Sequence, residues 1–418
     1  MTSRRNRPHI ARPSVALGGA VLLLGLAACS PTGSAASDQQ NYETWNEVVA
    51  AADGQTVKLW MYGGDEQGNA YVNDVLVPAA AELGVTLEQV PIADTPDALN
   101  RILSEVQAGE TDGEVDLVWV NGNNFGTGKE AGAWECGWTD LLPNMALTDR
   151  ADPLLLNDFG TPVDGCEAPW HKAQFTFVYN SDTVTDVPAS LDELLDWARA
   201  NPGRFTYPAP PDFTGSVFVR EVLYSVSGGY ENVPLAFSQD DFDALTPALY
   251  DELTDLEPSL WRGGETYPQD SNELNQLFAD GEVDFTMTYG PATLTELVAN
   301  GTYPAGTKVL ALNEGTVGNA SFLGLASTSG SKAGAMVVAN LALSAEQQAA
   351  KAEPGVWGQF TVLSFDQLSD EQRALFEALP ESPVVPSYDV LSKNANPELA
   401  AAWVSPIDES WRQLVLAQ

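Results

Sequence analysis

From Val57 onward, extended apolar runs and helical stretches take turns, and no other feature narrows the architecture as much. Val57-Lys58-Leu59-Trp60-Met61-Tyr62 reads as a strand, Gly63-Gly64 interrupts it, and a helix-like stretch covers residues 67–83. A second strand over residues 85–90 follows directly. Thr95-Pro96 has the form of an N-cap with proline at the first helical position, opening a helix to about residue 108, and residues 115–120 (Val-Asp-Leu-Val-Trp-Val) read as a third strand. Such a βαβαβ start implies a largely parallel sheet, because each helix carries the chain back to begin the next strand beside the last. Further on, Ser190-Leu191-Asp192-Glu193 fits a capping box, its helix is stopped by Asn201-Pro202-Gly203, and a second α/β unit begins. Residues 275–279 lead through Asp280-Gly281 into a strand at 283–288. Residues 316–326 are again extended and apolar, before a helix at about 333–343.

The first residues belong to another kind of segment. Arg4, Arg5, Arg7 and Arg12 precede an apolar run at 15–28 that closes on Leu26-Ala27-Ala28-Cys29. A basic start, a short hydrophobic middle and small residues before a cysteine make a lipoprotein export signal, with residues 1–28 removed and Cys29 lipidated. The run is too short for a membrane span, which needs about 18 apolar residues or more. Residues 29–40 have the small, polar composition of a flexible linker. The expected location is the outer face of the cell membrane, anchored through Cys29. The remaining 390 residues exceed what one hydrophobic core usually serves, so the length favours two domains or one two-lobed fold.

Composition removes several functions. The net charge is −39, and since the signal holds four arginines and no acids, the mature chain carries −43. Nucleic acid is thereby excluded as a partner, because gripping a phosphate backbone depends on clustered Lys and Arg. His9 leaves with the signal, so His171 is the one histidine of the mature chain. No multi-histidine zinc site can be built. A Ser-His-Asp triad would have to use His171 without any Gly-x-Ser-x-Gly elbow. Gly122-Asn123-Asn124-Phe125-Gly126-Thr127-Gly128-Lys129-Glu130 is not a phosphate loop, since the glycine spacing is wrong and Glu130 stands in place of Ser or Thr. We expect no enzyme, no cofactor and no metal. With Cys29 lipidated, Cys136 and Cys166 remain as a pair in an oxidising compartment. The disulfide expected between them closes 29 residues and limits the unfolded chain by about 3–4 kcal/mol.

What remains is a set of loops, each after a strand, that carry glycine, amide and aromatic groups. Open α/β sheets bind ligands at the carboxyl ends of their strands. Tyr62-Gly63-Gly64-Asp65-Glu66 lets backbone approach a ligand and opens a helix. Asn121-Gly122-Asn123-Asn124-Phe125 offers amide donors and acceptors beside an aromatic face. Gly and Asn are also default turn residues, so both loops have a plain structural reading as well. Arg204-Phe205-Thr206-Tyr207-Pro208-Ala209-Pro210-Pro211 stiffens a strand exit and presents Asp212, Phe213 and Thr214 at a helix start. Asp212 either caps that helix or faces a cationic ligand. Trp170 with Lys172, and Tyr289-Gly290-Pro291, are further candidates, against the general tendency of large aromatics to be core.

Asp164-Gly165-Cys166-Glu167-Ala168-Pro169-Trp170, Ala173-Gln174-Phe175, and residues 201–220 with their Pro-Ala-Pro-Pro-Asp-Phe-Thr-Gly centre resemble the YnjB-type solute-binding proteins of bacterial ABC importers. The resemblance runs from about residue 54 to the C-terminus and includes Val118-Trp119-Val120-Asn121-Gly122 and residues 281–291. It implies an α/β, two-lobed, type II periplasmic-binding-protein fold with a ligand cleft between the lobes. Lobe 1 would take residues 41–174 and lobe 2 residues 175–316. Residues 317–418 would return to lobe 1 and add C-terminal helices packed on the lobes. It further implies a monomer that captures a small solute and hands it to ABC permease subunits; our own expectation is that Tyr62, Asn121 and Asn123 meet Asp212, Phe213 and Tyr289 across the cleft, with Gly63, Gly64, Trp170 and Thr214 as further ligand-binding candidates.

The resemblance does not fix the solute. A ferric site usually combines adjacent tyrosines, and the chain has no Tyr-Tyr pair. An organic cation, thiamine- or polyamine-like, suits Asp65, Glu66, Asp212 and eleven tryptophans, because carboxylates pair with ammonium groups and aromatic faces hold cations. The alternative is an anion held at the helix starts behind Gly63-Gly64 and Thr214-Gly215, with Lys172 available. A surface hydrolase is a more remote alternative.

Overall fold

The computed structural model describes residues 42–391 and 395–416. The signal (1–28), Cys29 and the rest of the linker to residue 40 lie outside the described residues. Strands in chain order are β1 (Thr56–Tyr62), β2 (Thr86–Ile92), β3 (Leu117–Val120), β4 (Asn157–Asp158), β5 (Thr161–Pro162), β6 (Glu167–Gln174), β7 (Thr176–Asn180), β8 (Phe285–Thr288), β9 (Thr307–Leu310), β10 (Thr316–Leu325) and β11 (Ala395–Pro397). One sheet has the order β11-β10-β3-β1-β2, with β6 also paired to β10. In it β1 runs parallel to both β2 and β3, as the βαβαβ pattern requires, and β10 returns antiparallel to β3 and β6. A second, smaller sheet has β7 between β8 and β9, antiparallel to each. The chain passes from one sheet to the other at Phe175 and returns between Leu310 and Thr316.

Local chemistry explains the boundaries. The helix Thr95–Ala108 is capped by Asp94, whose carboxylate accepts from the Thr95 N–H, so Thr95 is the first helical residue and not the cap. Residues 66–82 are helical throughout, but the stretch is divided by a π turn, Val72–Leu76, ahead of Pro78, whose missing N–H cannot continue an ordinary ladder. At Ser190 only half of the capping box forms. Its hydroxyl accepts from the Glu193 N–H, whereas the Glu193 carboxylate accepts from Ala189. The helix Phe213–Val226 is buried along most of its length, and Gly215 makes that possible, since a Cβ there would stand 1.9 Å from the Pro208 carbonyl oxygen. Cys136 and Cys166 are joined by a disulfide.

Two large cores follow the two sheets. One gathers Val57, Leu59, Met61, Tyr71, Trp170, Leu323 and Trp357 around the first sheet. The other gathers Phe175, Phe177, Phe205, Tyr207, Phe218 and Phe285 with Trp403, Ile407 and Trp411 of the helix Ala401–Leu414. Residues 379–387 leave the helix Asp370–Glu377, whose Phe376 packs on the first core, and reach the second sheet, where the Val309 N–H donates to the Val384 carbonyl at 3.0 Å. No helix among the described residues is long and apolar enough to cross a membrane.

Candidate functional site

The exit of β1 places Asp65 as N-cap of the helix Glu66–Tyr71. One carboxylate oxygen accepts from the Gly68 N–H at 2.9 Å, and the other accepts from the Trp357 indole N–H at 2.8 Å. That second bond needs the ring close to the helix. A Cβ on Gly68 would meet it at 2.8 Å, so glycine lets Trp357 in. Asp65, Gln67 and Trp357 then line a cavity of about 200 Å³, together with Lys172, Gln359 and Phe360, and facing Tyr289, Gly290, Pro291 and Thr293 at the exit of β8. Groups carried by both sheets therefore share one cavity.

Charge within it is uneven. Lys172 is ion-paired with Asp152 at 2.5 Å, and both side chains are largely withdrawn from solvent, so its positive charge is matched locally. The Asp65 carboxylate is met by the neutral N–H donors of Gly68 and Trp357, while the Lys172 ammonium in the same cavity pairs with Asp152. The ring of Tyr289 packs 5.8 Å from Phe175 and 5.0 Å from Phe213, so an aromatic wall stands opposite the carboxylate. Burial pushes the Tyr289 hydroxyl well above the ordinary phenol range, with Glu398 adding to the rise, which keeps it neutral.

The expected site residues divide into groups. Tyr62, Gly63 and Gly64 form the turn that delivers Asp65 and stand outside the cavity's lining, Tyr62 being about half exposed, and Phe213, also about half exposed, packs on the lining residue Tyr289. Asn121 and Asn123 follow β3 outside its lining: the Asn121 amide donates to Ser321 at 3.2 Å, and Asn123 is exposed at the start of its helix. That loop is anchored by the Gly122 N–H donating to Asp158 at 2.7 Å, a carboxyl that burial raises to about 8. Trp170 is fully buried, packed edge-on or tilted among Tyr71, Trp119, His171 and Trp357, so it backs the wall whose face Trp357 supplies. Asp212 caps Phe213–Val226 through the Gly215 N–H at 3.0 Å and accepts from both the N–H and the hydroxyl of Ser271. The Ser271 hydroxyl also lies 2.9 Å from the buried Thr214 hydroxyl. Gln67, Trp357, Gln359 and Phe360 were missed. Gln67 lies two residues after Asp65, and the trace of the other three in sequence is an aromatic-bearing turn, Pro354-Gly355-Val356-Trp357-Gly358-Gln359-Phe360, more than 280 residues from Asp65.

A two-sheet molecule with a mixed, partly antiparallel first sheet and a cavity shared between sheets is the plan of a two-lobed binder, and comparison with known proteins agrees. Residues 76–371 match the family described as bacterial extracellular solute-binding protein, and the chain belongs to that family. It is 36% identical over 390 residues to Protein YnjB of Escherichia coli (strain K12), spanning 93% of this chain and 97% of that one. Among solved structures it is similar to an ABC transporter protein from Clostridium perfringens ATCC 13124, with TM-score 0.61 and 17% identity over 86% of this chain and 98% of that one. It is also similar to a spermidine/putrescine ABC transporter substrate-binding protein from Streptococcus pneumoniae, with TM-score 0.58 and 13% identity over 86% and 98%. The fold is the type II, two-lobed α/β fold of periplasmic binding proteins, and the family is that of bacterial extracellular solute-binding proteins.

Proposed function

We propose that this chain captures a small organic cation between its lobes, outside the membrane, and presents it to the permease of an ABC importer. The observation that carries the reading is the cavity formed by Asp65 and Trp357 on one side and Tyr289 on the other. A carboxylate gives the charge, and aromatic faces attract a cation through their quadrupoles while excluding water. The anion reading loses its support at the helix starts, because the N–H groups of Gly68 and Gly215 are already taken by Asp65 and Asp212, and Lys172 already serves Asp152. No bond is made or broken in this work. The solute favours a closed form through contacts available only there, with Tyr62 and Phe213 as exposed aromatics to be covered, and bending falls at the passages around residues 175 and 310–316. Lipidation at Cys29 would hold the binder near its permease.

Thermal unfolding of the ligand-stripped protein against quaternary amines, thiamine, polyamines, sugars and oxyanions tests the class. A true ligand in excess raises the midpoint. We expect the rise with organic cations, and a rise confined to oxyanions would overturn the assignment. Asp65→Asn keeps one side-chain oxygen for the helix cap, removes the charge and leaves the Trp357 indole N–H without its acceptor, so it should weaken cation binding by at least about tenfold.

A further inference from the structure

The cavity at Asp65, about 200 Å³, is smaller than the roughly 300–1,000 Å³ usual for small-molecule sites, but a larger cavity adjoins it across shared wall residues. Gly358 and Phe360 also line a second cavity of about 520 Å³, formed where residues 379–387 cross from the helix Asp370–Glu377 toward the second sheet. Its walls include Ala352, Phe365, Phe376, Leu379 and Val385, with the Phe365 and Phe376 rings 5.2 Å apart. Its charged lining among the described residues is Glu377 and Glu381, with no Lys or Arg. The crossing segment is tied to the second lobe by the Thr295 and Ser382 hydroxyls at 2.7 Å, so this groove too has walls from both sides of the cleft.

We infer that the groove beyond Phe360 receives the hydrocarbon tail of the same solute whose cationic head lies at Asp65, so that the preferred substrate is an elongated organic cation with an apolar tail. This rests on the cation reading and adds to it. A compact ammonium would fill only the first cavity and leave the apolar groove wetted, whereas a tail displaces water from Phe365, Phe376 and Leu379 and gains affinity with each methylene it buries, about three- to fourfold each. The acids on the groove's rim repel an anionic tail. They also make the groove, like the first cavity, electrostatically compatible with a net positive solute.

Calorimetric titration of the purified protein with tetramethylammonium, hexyltrimethylammonium and spermidine decides this. Hexyltrimethylammonium should bind at least about tenfold more tightly than tetramethylammonium, and Ala352→Trp, which fills the groove, should abolish that advantage. Equal affinities for the two ammonium ions would overturn the tail site while leaving the cation site intact, and so would spermidine binding more tightly than the hexyl compound. Binding of none of the three would remove the cation reading and this inference with it. The chain-length comparison in the unaltered protein stands even if the Trp variant fails to fold.

Discussion

At the scale of single residues, two helix-capping aspartates part company. Asp65 and Asp212 each cap a helix, although Asp65 follows β1 whereas the expected strand before Asp212 does not form and residues 201–212 are irregular. The difference at the site lies in what arrives from afar. Trp357 and the β8 exit come to Asp65, whereas Ser271 comes to Asp212 and occupies both of its oxygens. Asp212→Ala should therefore lower stability by about 1–2 kcal/mol, the usual cost of a lost N-cap, as read from urea unfolding, and leave cation affinity within about twofold. A large loss of affinity at unchanged stability would return Asp212 to the site. The aromatic candidates were illegible for a similar reason. Trp170 and Trp357 are both buried in one cluster, and only packing tells which ring forms the wall and which lies behind it.

At the scale of elements, the helix Phe213–Val226 joins the two halves of the account. Arg220 makes a two-pronged ion pair with Glu398, with both bonds at 2.8 Å and both side chains almost fully buried, and the Tyr224 hydroxyl donates to the Pro397 carbonyl at 2.8 Å. Removing one member of such a pair strands the other, so Glu398→Ala should cost about 3–5 kcal/mol in urea unfolding, and a cost below about 1 kcal/mol would contradict this. Glu221 on the same helix accepts from the Val317 N–H where the chain re-enters the first sheet. Burial raises its carboxyl from 4.5 to about 8, with the Val317 N–H opposing and Glu398 reinforcing. The folded state thus holds a proton that the unfolded chain releases, and the stabilisation present below about pH 4.5 is lost as pH rises through about 8. Buried Asp158 acts in the same sense, and buried Lys351, held well below its ordinary range by desolvation, acts in the opposite one. The comparison must therefore be with Glu221→Gln, which keeps an oxygen for Val317. The variant should lose less stability than the parent between pH 5 and 8, and parallel profiles would contradict the assignment. Most elements of the first sheet were legible because apolar alternation and caps are local signals. In the short antiparallel second sheet β8 was legible at 283–288, but β7, β9 and the groups that cross between sheets were not, since partners such as Glu221 and Val317 lie 96 residues apart.

At the scale of the molecule, the residues that resemble solute binders led to a family and a fold that the comparisons bear out, while the solute had to come from geometry. The acidic composition could not choose it alone, because 58 acids serve solubility wherever they stand. The choice depends on which carboxylate faces an aromatic wall while the ammonium in the same cavity is paired with another acid, and Asp65 meets that condition. The most direct test is calorimetric titration of the parent and Asp65→Asn proteins with tetramethylammonium and with sulfate. The account predicts binding of tetramethylammonium by the parent, weakened at least about tenfold in the variant, and no binding of sulfate by either. Unchanged cation affinity in Asp65→Asn, or sulfate binding by the parent, would contradict it.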